Sequence, residues 1–171
     1  MTELSIRKAE IHEAKHLSHL LSMCQWFTYE ELYSSAYIER LILKYYNVER
    51  IKQEITTTDR SWHGYVIAES RGKIVGAIGG GMIDETTGEI YVFYVDPKER
   101  GLGVGTRLLN FYTKLQKHLY GASEQKVAVA KGNKYGIPFY ESRGFTFSHE
   151  DLAYGASEEE HDISSIYKRK I

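Results

Sequence analysis

Arg100-Gly101-Leu102-Gly103-Val104-Gly105-Thr106 lies between a strand-patterned run, Glu89 to Val95, and a helix-patterned run, Arg107 to Tyr120. Glycines at alternate positions leave this turn without Cβ atoms. The helix that follows aims its unpaired first N–H groups and its positive dipole end at the same spot. Strand, bare turn and helix in this order make an anion cradle, and a pyrophosphate is the anion that suits several successive amides. A tight strand-to-helix connection that holds nothing has the same residue pattern, so the turn alone leaves both readings open.

Upstream of the turn, His63 to Glu69 and Lys73 to Met82 read as two strands joined at Arg71-Gly72. Asp84 to Gly88 is a loop into the Glu89–Val95 strand, which Asp96-Pro97 ends. Leu4 to Lys8 alternates as a short strand, and Ala14, Leu17, Leu20, Leu21 and Cys24 recur at helical spacing after Ile11. A tyrosine-rich stretch from Ser35 to Ile55 reads as helical. Ile38, Leu41, Ile42 and Tyr45 share one face there, and Asn47 caps a second segment with Val48, Ile51 and Ile55. Downstream, Leu108, Phe111, Tyr112, Leu115 and Leu119 form the apolar face of the helix that Gly121 stops. Lys126 to Ala130 is a strand, Asn133 to Ser142 a short helix ended by Gly144, and Phe145–His149 and Ile163–Lys168 are strands. The order β-α-α-β-β-β-α-β-α-β-β describes an α/β (α+β) chain with a central antiparallel meander and one right-handed crossover.

The 171 residues, 42% hydrophobic and 26% charged, fit one globular domain over 1–171, with no repeat or linker-like stretch. A formal net charge of −1 disfavours bulk binding to nucleic acid or to anionic membranes. The single cysteine, Cys24, makes no internal disulfide, which suits a reducing cytoplasm. No apolar run approaches the ~18 residues of a membrane span, and the N-terminus lacks signal-peptide character. A cytoplasmic protein is the expectation.

The two common nucleotide-binding signatures do not fit. A dinucleotide fold needs its third glycine three residues after the second, near the first strand, and Gly101-Leu102-Gly103-Val104-Gly105 lies past mid-chain without it. A P-loop needs a lysine that does not follow Gly105. His12-Glu13-Ala14-Lys15-His16, with His19 a turn later, matches the His-Glu-x-x-His pattern of zinc proteases. On a helical wheel these histidines face away from Leu17, Leu20 and Leu21, without the buried surroundings that a catalytic zinc needs, so no metal is expected.

The segment resembles motif A of the GCN5-related N-acetyltransferase (GNAT) superfamily, Arg/Gln-x-x-Gly-x-Gly/Ala, through Arg100, Gly103 and Gly105. The resemblance continues in Val95-Asp96-Pro97, in Asn133, and in Phe139-Tyr140-Glu141-Ser142-Arg143-Gly144-Phe145, which is similar to the family's Phe-Tyr-Glu-Lys-x-Gly-Phe signature. It implies a mostly antiparallel twisted sheet of about seven strands flanked by about four helices, acetyl-CoA as cosubstrate and an amine as acceptor. It implies that backbone groups of Tyr94 and Val95 hold the pantetheine arm, that the amides from Arg100, Gly101, Leu102, Gly103, Val104 and Gly105 to Thr106 hold the pyrophosphate, and that Asn133 contacts the pantetheine. It also implies that Tyr140 faces the coenzyme sulfur.

The chemistry asks for an acid and a base. An alkylammonium of pKa about 10.4 is neutral in only about one molecule in 2,500 at pH 7, a deficit of roughly 4.6 kcal/mol. A positioned carboxylate, or a water chain ending in one, removes that proton during attack. Glu89 matches the position where several family members carry a glutamate base, and strict alternation puts it on one face with Tyr91, Phe93 and Val95. A solvated strand end is the other reading of Glu89, and a core aromatic is the other reading of Tyr140. A phenol near pKa 10 gives its proton to a thiolate near 8.5 only uphill, by about 2 kcal/mol, so Tyr140 is read as a hydrogen-bond donor to the leaving sulfur.

In the family the acceptor site is bordered by the region that here spans about Trp26 to Tyr46, and by the last strands. Trp26, Tyr29, Glu30, Glu31, Tyr33 and Tyr37 offer aromatic faces and carboxylates, and Ser157-Glu158-Glu159-Glu160-His161-Asp162 is an acidic run before the last strand. Such residues suit a flexible polycation; an acidic loop in solvent is the alternative. The Trp-Phe-Thr-Tyr order, Tyr45-Tyr46-Asn47-Val48-Glu49-Arg50-Ile51 and the glutamate-rich loop are similar to bacterial PaiA-type spermidine/spermine N-acetyltransferases. Acetylation of a protein N-terminus, of the ribosomal-protein kind, and a non-catalytic acetyl-CoA-binding regulator stay open, as does a homodimer paired through an edge strand.

Overall fold

Apolar residues on both faces of the central strands bury one seven-stranded sheet between two helical layers. The computed structural model describes residues 3–153, 156 and 162–171. The strands are β1 (Leu4–Lys8), β2 (Tyr65–Ser70), β3 (Lys73–Met82), β4 (Thr87–Val95), β5 (Glu124–Ala130), β6 (Thr146–Leu152) and β7 (Ile163–Lys170). The helices are α1 (Ala14–Tyr29), α2 (Ser35–Tyr45), α3 (Val48–Thr56), α4 (Val104–Lys114) and α5 (Gly136–Glu141). The strand order is β1-β2-β3-β4-β5-β7-β6, and every pair is antiparallel except β4–β5, which α4 connects. The expected sheet is present, with five α-helices among the described residues where about four were expected.

Caps set the helical layer beside the tyrosines. Ser34 Oγ accepts from the Tyr37 N–H, and Asn47 Oδ1 accepts from the Arg50 N–H at 2.9 Å, so the tyrosine-rich stretch breaks into two helices where Asn47 stands. Leu17, Leu21, Ile51, Tyr65, Ile67 and Val92 fill the core under α1 and α3. Val66, Ile78, Ile90, Val104, Leu108, Tyr112 and Phe145 fill the other core, under α4 and α5.

Strand β4 does not alternate regularly. Val92 pairs with Gly79 and Ile90 with Gly80, so Tyr91 is an extra residue on β4. Gly80 makes room for this bulge, because a Cβ there would lie 2.0 Å from the Glu89 carbonyl oxygen. The bulge reverses the sides: Ile90 belongs to the core under α4, but Val92 belongs to the core under α1. Glu89 therefore shares its face with Val92 and Tyr94. This corrects the expectation from strict alternation, which put it with Phe93 and Val95.

The parallel pairing of β4 and β5 runs only from Thr87–Glu124 to Ile90–Val127 and stops at the bulge. Beyond it β4 stays with β3 as far as Val95, and β5 stays with β7 as far as Ala130. The two strands diverge, and among the described residues no strand pairs with Val92–Val95 on that side.

A second irregularity braces the divergence. Residues Leu115–Leu119 form a π-helical turn, and the residue it adds turns the following side chains away from the face that a regular helix continues. Leu119, expected in the apolar face, is 65% exposed; Phe111, also expected there, precedes the turn at the edge of that face and is 37% exposed. Gln116 is buried instead. Its Nε2 donates to the Glu89 carbonyl oxygen at 3.1 Å, and its Oε1 accepts from Gln125 Nε2 at 3.0 Å. That clamp joins β4 to β5 one residue before they part.

His63 gives the fold a pH-dependent stability. It is 1% exposed, stacks on Tyr120 at 3.7 Å, and neither ring nitrogen has a hydrogen-bond partner among the described residues. Burial pushes its pKa from 6.5 down to about 4; the Arg60 carbonyl, outside hydrogen-bond geometry, offsets only part of this. The unfolded chain takes up a proton near pH 6.5 while the folded chain resists until about 4. Stability therefore falls as pH drops through that window, by up to about 3 kcal/mol, and levels off below it. His63→Phe keeps the stacking and is expected to flatten the slope of Tm against pH between 6.5 and 4. Equal slopes for the two proteins would contradict this role.

Candidate active site

The divergence of β4 from β5 opens a cleft of about 490 Å³. Phe93, Tyr94 and Val95 line it from β4, and Arg100, Gly101, Gly103, Val104, Gly105 and Thr106 line it from the glycine turn. Asn133, Tyr135, Phe139, Tyr140 and Arg143 close it from the region around α5. Leu102 is 67% exposed and is not among the lining residues. Gly103 caps α4 with a φ of 82°, a left-handed conformation that favours glycine. The first bond of α4 runs from Arg107 N to Gly103 O at 3.1 Å, so the N–H groups of Val104, Gly105 and Thr106 have no acceptor within the helix.

Two guanidinium groups flank these amides. Arg100 lies over the Tyr135 ring, 4.1 Å from its centroid, and over Phe27 at 5.2 Å. Arg143 lies over Phe139 at 3.6 Å and donates to Thr106 Oγ1, while its buried Nε has no acceptor among the described residues. Arg143 is half-buried and its other donors are spent on the Phe139 carbonyl, Ser142 and Thr106; a cation held in this way beside unpaired amides fits a bound anion. Arg143 was not singled out from the sequence; the signal was a cation inside an otherwise aromatic signature.

Asn133 Oδ1 accepts from the N–H groups of Tyr135 at 3.1 Å and Gly136 at 3.0 Å, which starts α5. Its carbonyl end is thus committed to the fold, and its NH₂ end is left as a donor. Tyr140, 7% exposed, packs edge-on against Phe93, Phe139 and Phe145. Burial raises the pKa of its phenol well above the usual value, with Tyr94 adding to the effect. A phenol in this position keeps its proton and donates.

Glu89 is not among the cleft-lining residues. Its side chain is 15% exposed, and Lys126 Nζ stands 3.9 Å from Oε1. Burial pushes its carboxyl pKa up, and Lys126 pulls in the opposite direction without cancelling it. Raised in this way, the carboxylate is a stronger base than an ordinary glutamate.

Tyr94 reaches the face away from α4, where its hydroxyl and that of Tyr29 are 2.9 Å apart. The Tyr29 and Tyr33 rings stack at 5.3 Å, and Tyr37 meets Tyr33 edge-on at 5.1 Å. Tyr33 Oη donates to Asp162 Oδ1 at 2.5 Å, and Tyr37 Oη donates to Asp162 Oδ2. The structure thus brings Tyr29 and Tyr33 together with Tyr94 and Asp162. Trp26, half-buried, and Glu30, exposed, make none of these contacts. Of the acidic run, residues 157–161 lie outside the described residues. His12, His16 and His19 are exposed, and Arg7 holds both Glu13 oxygens at 2.8 Å.

Known proteins share this fold. Over 98 residues, 53% of the chain, it is 35% identical to the mycothiol acetyltransferase of Thermobispora bispora, but that stretch is 32% of that protein's length. The structure is similar to the PaiA N-acetyltransferase of Thermoplasma acidophilum in complex with coenzyme A, with a TM-score of 0.85 and 24% identity over 99% of each chain. It is also similar to Ard1 of Thermoplasma volcanium, with a TM-score of 0.69 and 21% identity over 98% of this chain and 97% of that one. The model of the acetyltransferase (GNAT) family matches residues 26–145, which span the bulged strand, the glycine turn, Asn133 and Tyr140. The chain therefore belongs to the acetyltransferase (GNAT) family.

Proposed function

We propose that this chain is an N-acetyltransferase that moves the acetyl group of acetyl-CoA to an amine by direct attack, with a polyamine as acceptor. The observation that carries the reading is the open edge of Val92–Val95, which runs into the glycine turn with Tyr140 across the cleft. That edge suits the pantetheine amides as an added strand. The amides from Arg100 to Thr106, with the guanidinium groups of Arg100 and Arg143, suit the pyrophosphate. Coenzyme A in the similarly folded PaiA protein supports the same assignment.

Bound there, acetyl-CoA supplies an activated acyl thioester. Tyr140 donates a hydrogen bond to the sulfur as it takes up charge, and burial keeps that proton in place. Glu89, outside the cleft lining, takes the proton of the acceptor ammonium through water so that the free amine attacks, and its raised pKa narrows the gap between base and amine. The single cysteine does not compete as nucleophile: Cys24 is 2% exposed, and burial pushes its thiol up to about 12. Acetyl-CoA thiol release, measured across spermidine, spermine, a peptide N-terminus and aminoglycosides, tests the reading. Turnover with a polyamine supports it; coenzyme binding with no turnover on any amine would replace it with a regulator.

A further inference from the structure

Buried carboxylates are ordinarily paired with a cation, because burying an uncompensated charge is costly. Asp162, which directly precedes β7, is 5% exposed. Its two oxygens are held by the hydroxyls of Tyr33 and Tyr37, and no lysine, arginine or histidine of the described residues stands within ion-pair distance of it. Arg40 lies over the Tyr37 ring, 5.0 Å from its centroid. Two phenols stabilise the carboxylate and fix its position, but they supply no positive charge. A carboxylate offers about four lone-pair positions, and the two phenols use two.

The surroundings connect this anion to the reaction centre. The Tyr33 ring stacks on Tyr29, Tyr29 shares a hydrogen bond with Tyr94, and Tyr94 lines the cleft beside Tyr140. Burial raises the pKa of the Tyr94 phenol, and the negative charge of Asp162 adds a small part to this. These contacts run from the carboxylate of Asp162 through Tyr33, Tyr29 and Tyr94 to the cleft that Tyr140 lines. Aromatic faces and a fixed anion recognise an alkyl chain that carries a cation.

We propose that Asp162 is the specificity-determining residue of the acceptor site: held by Tyr33 and Tyr37, it takes the second, non-reacting ammonium of a di- or polyamine, which supplies the cation that no described residue gives it. The proposal rests on the acetyltransferase reading above and adds to it the residue that selects the acceptor.

The test compares a diamine or spermidine with a monoamine of matched chain length, at fixed ionic strength, in the wild type and in Asp162→Asn. The wild type is expected to favour the diamine by at least about tenfold in kcat/KM, the ratio that ~1.4 kcal/mol of charge pairing gives. In Asp162→Asn the diamine KM rises about tenfold with little change in kcat, and the constants for the monoamine and for acetyl-CoA stay near wild type. Equal losses for both amines would make Asp162 a structural clip and overturn the proposal. Wild-type turnover with no preference for the second charge would overturn it too, without reference to any variant that fails to fold. Absence of thiol release with every amine in the wild type would instead be the failure of the acetyltransferase reading.

Discussion

Tyr140→Phe is expected to lower kcat by about 10²-fold while the KM for acetyl-CoA changes little. In the proposed mechanism the phenol hydroxyl is the donor to sulfur, and burial within an aromatic cage of Phe93, Phe139 and Phe145 holds it in its protonated form. Removing one donor that stabilises developing charge in such a site costs about 10²–10³-fold. The ring packing survives in phenylalanine, so the variant should fold and bind the coenzyme. A loss confined to kcat is the signature of an interaction made in the transition state and not in the ground state. Wild-type turnover in this variant would remove Tyr140 from the mechanism.

Glu89→Gln is expected to lower kcat/KM by about 10²–10³-fold, within the usual range for a general base. The pH profile is the sharper readout. Burial raises the Glu89 pKa, so the active carboxylate is lost as pH falls through a value above the ordinary glutamate range. The wild-type profile should therefore show an acidic limb with its inflection displaced upward. The glutamine variant should lose that limb and follow the ionisation of the amine alone. An unchanged limb in the variant would assign it to another group. Gln116 helps to set this geometry, because it holds the Glu89 carbonyl and Gln125 together just before β4 and β5 separate.

Both predictions start from residues that local sequence patterns singled out, and the structure shows where such patterns stop. The glycine turn and the Phe139–Phe145 signature are short-range motifs, and they come together on one cleft as their order implies. The cap at Asn47 was equally legible, since a side-chain acceptor three residues before a free N–H is a local feature; the cap at Ser34 was not singled out. The bulge at Tyr91 was not. It depends on Gly80 from a neighbouring strand admitting the Glu89 carbonyl, a contact that alternation along β4 does not report. Glu89 consequently changed face. The π-helical turn escaped for the same reason: Leu119 continues an apolar 3.6-residue pattern, and the buried Gln116 displaces it to satisfy polar groups on β4 and β5. Asp162 was legible as one acidic residue in a run, but its burial under Tyr33 and Tyr37 arises from a pairing across more than a hundred residues.

In the proposed complex the open edge of β4 and the amides of the glycine turn hold an acyl carrier with its sulfur beside Tyr140. A crystal structure of the chain with coenzyme A tests it most directly. The pyrophosphate is expected against the N–H groups of residues 101–106, with Arg143 turned toward it, and the thiol within hydrogen-bond reach of Tyr140 Oη. A coenzyme bound elsewhere, or one in this cleft with its sulfur directed away from that hydroxyl, would contradict it.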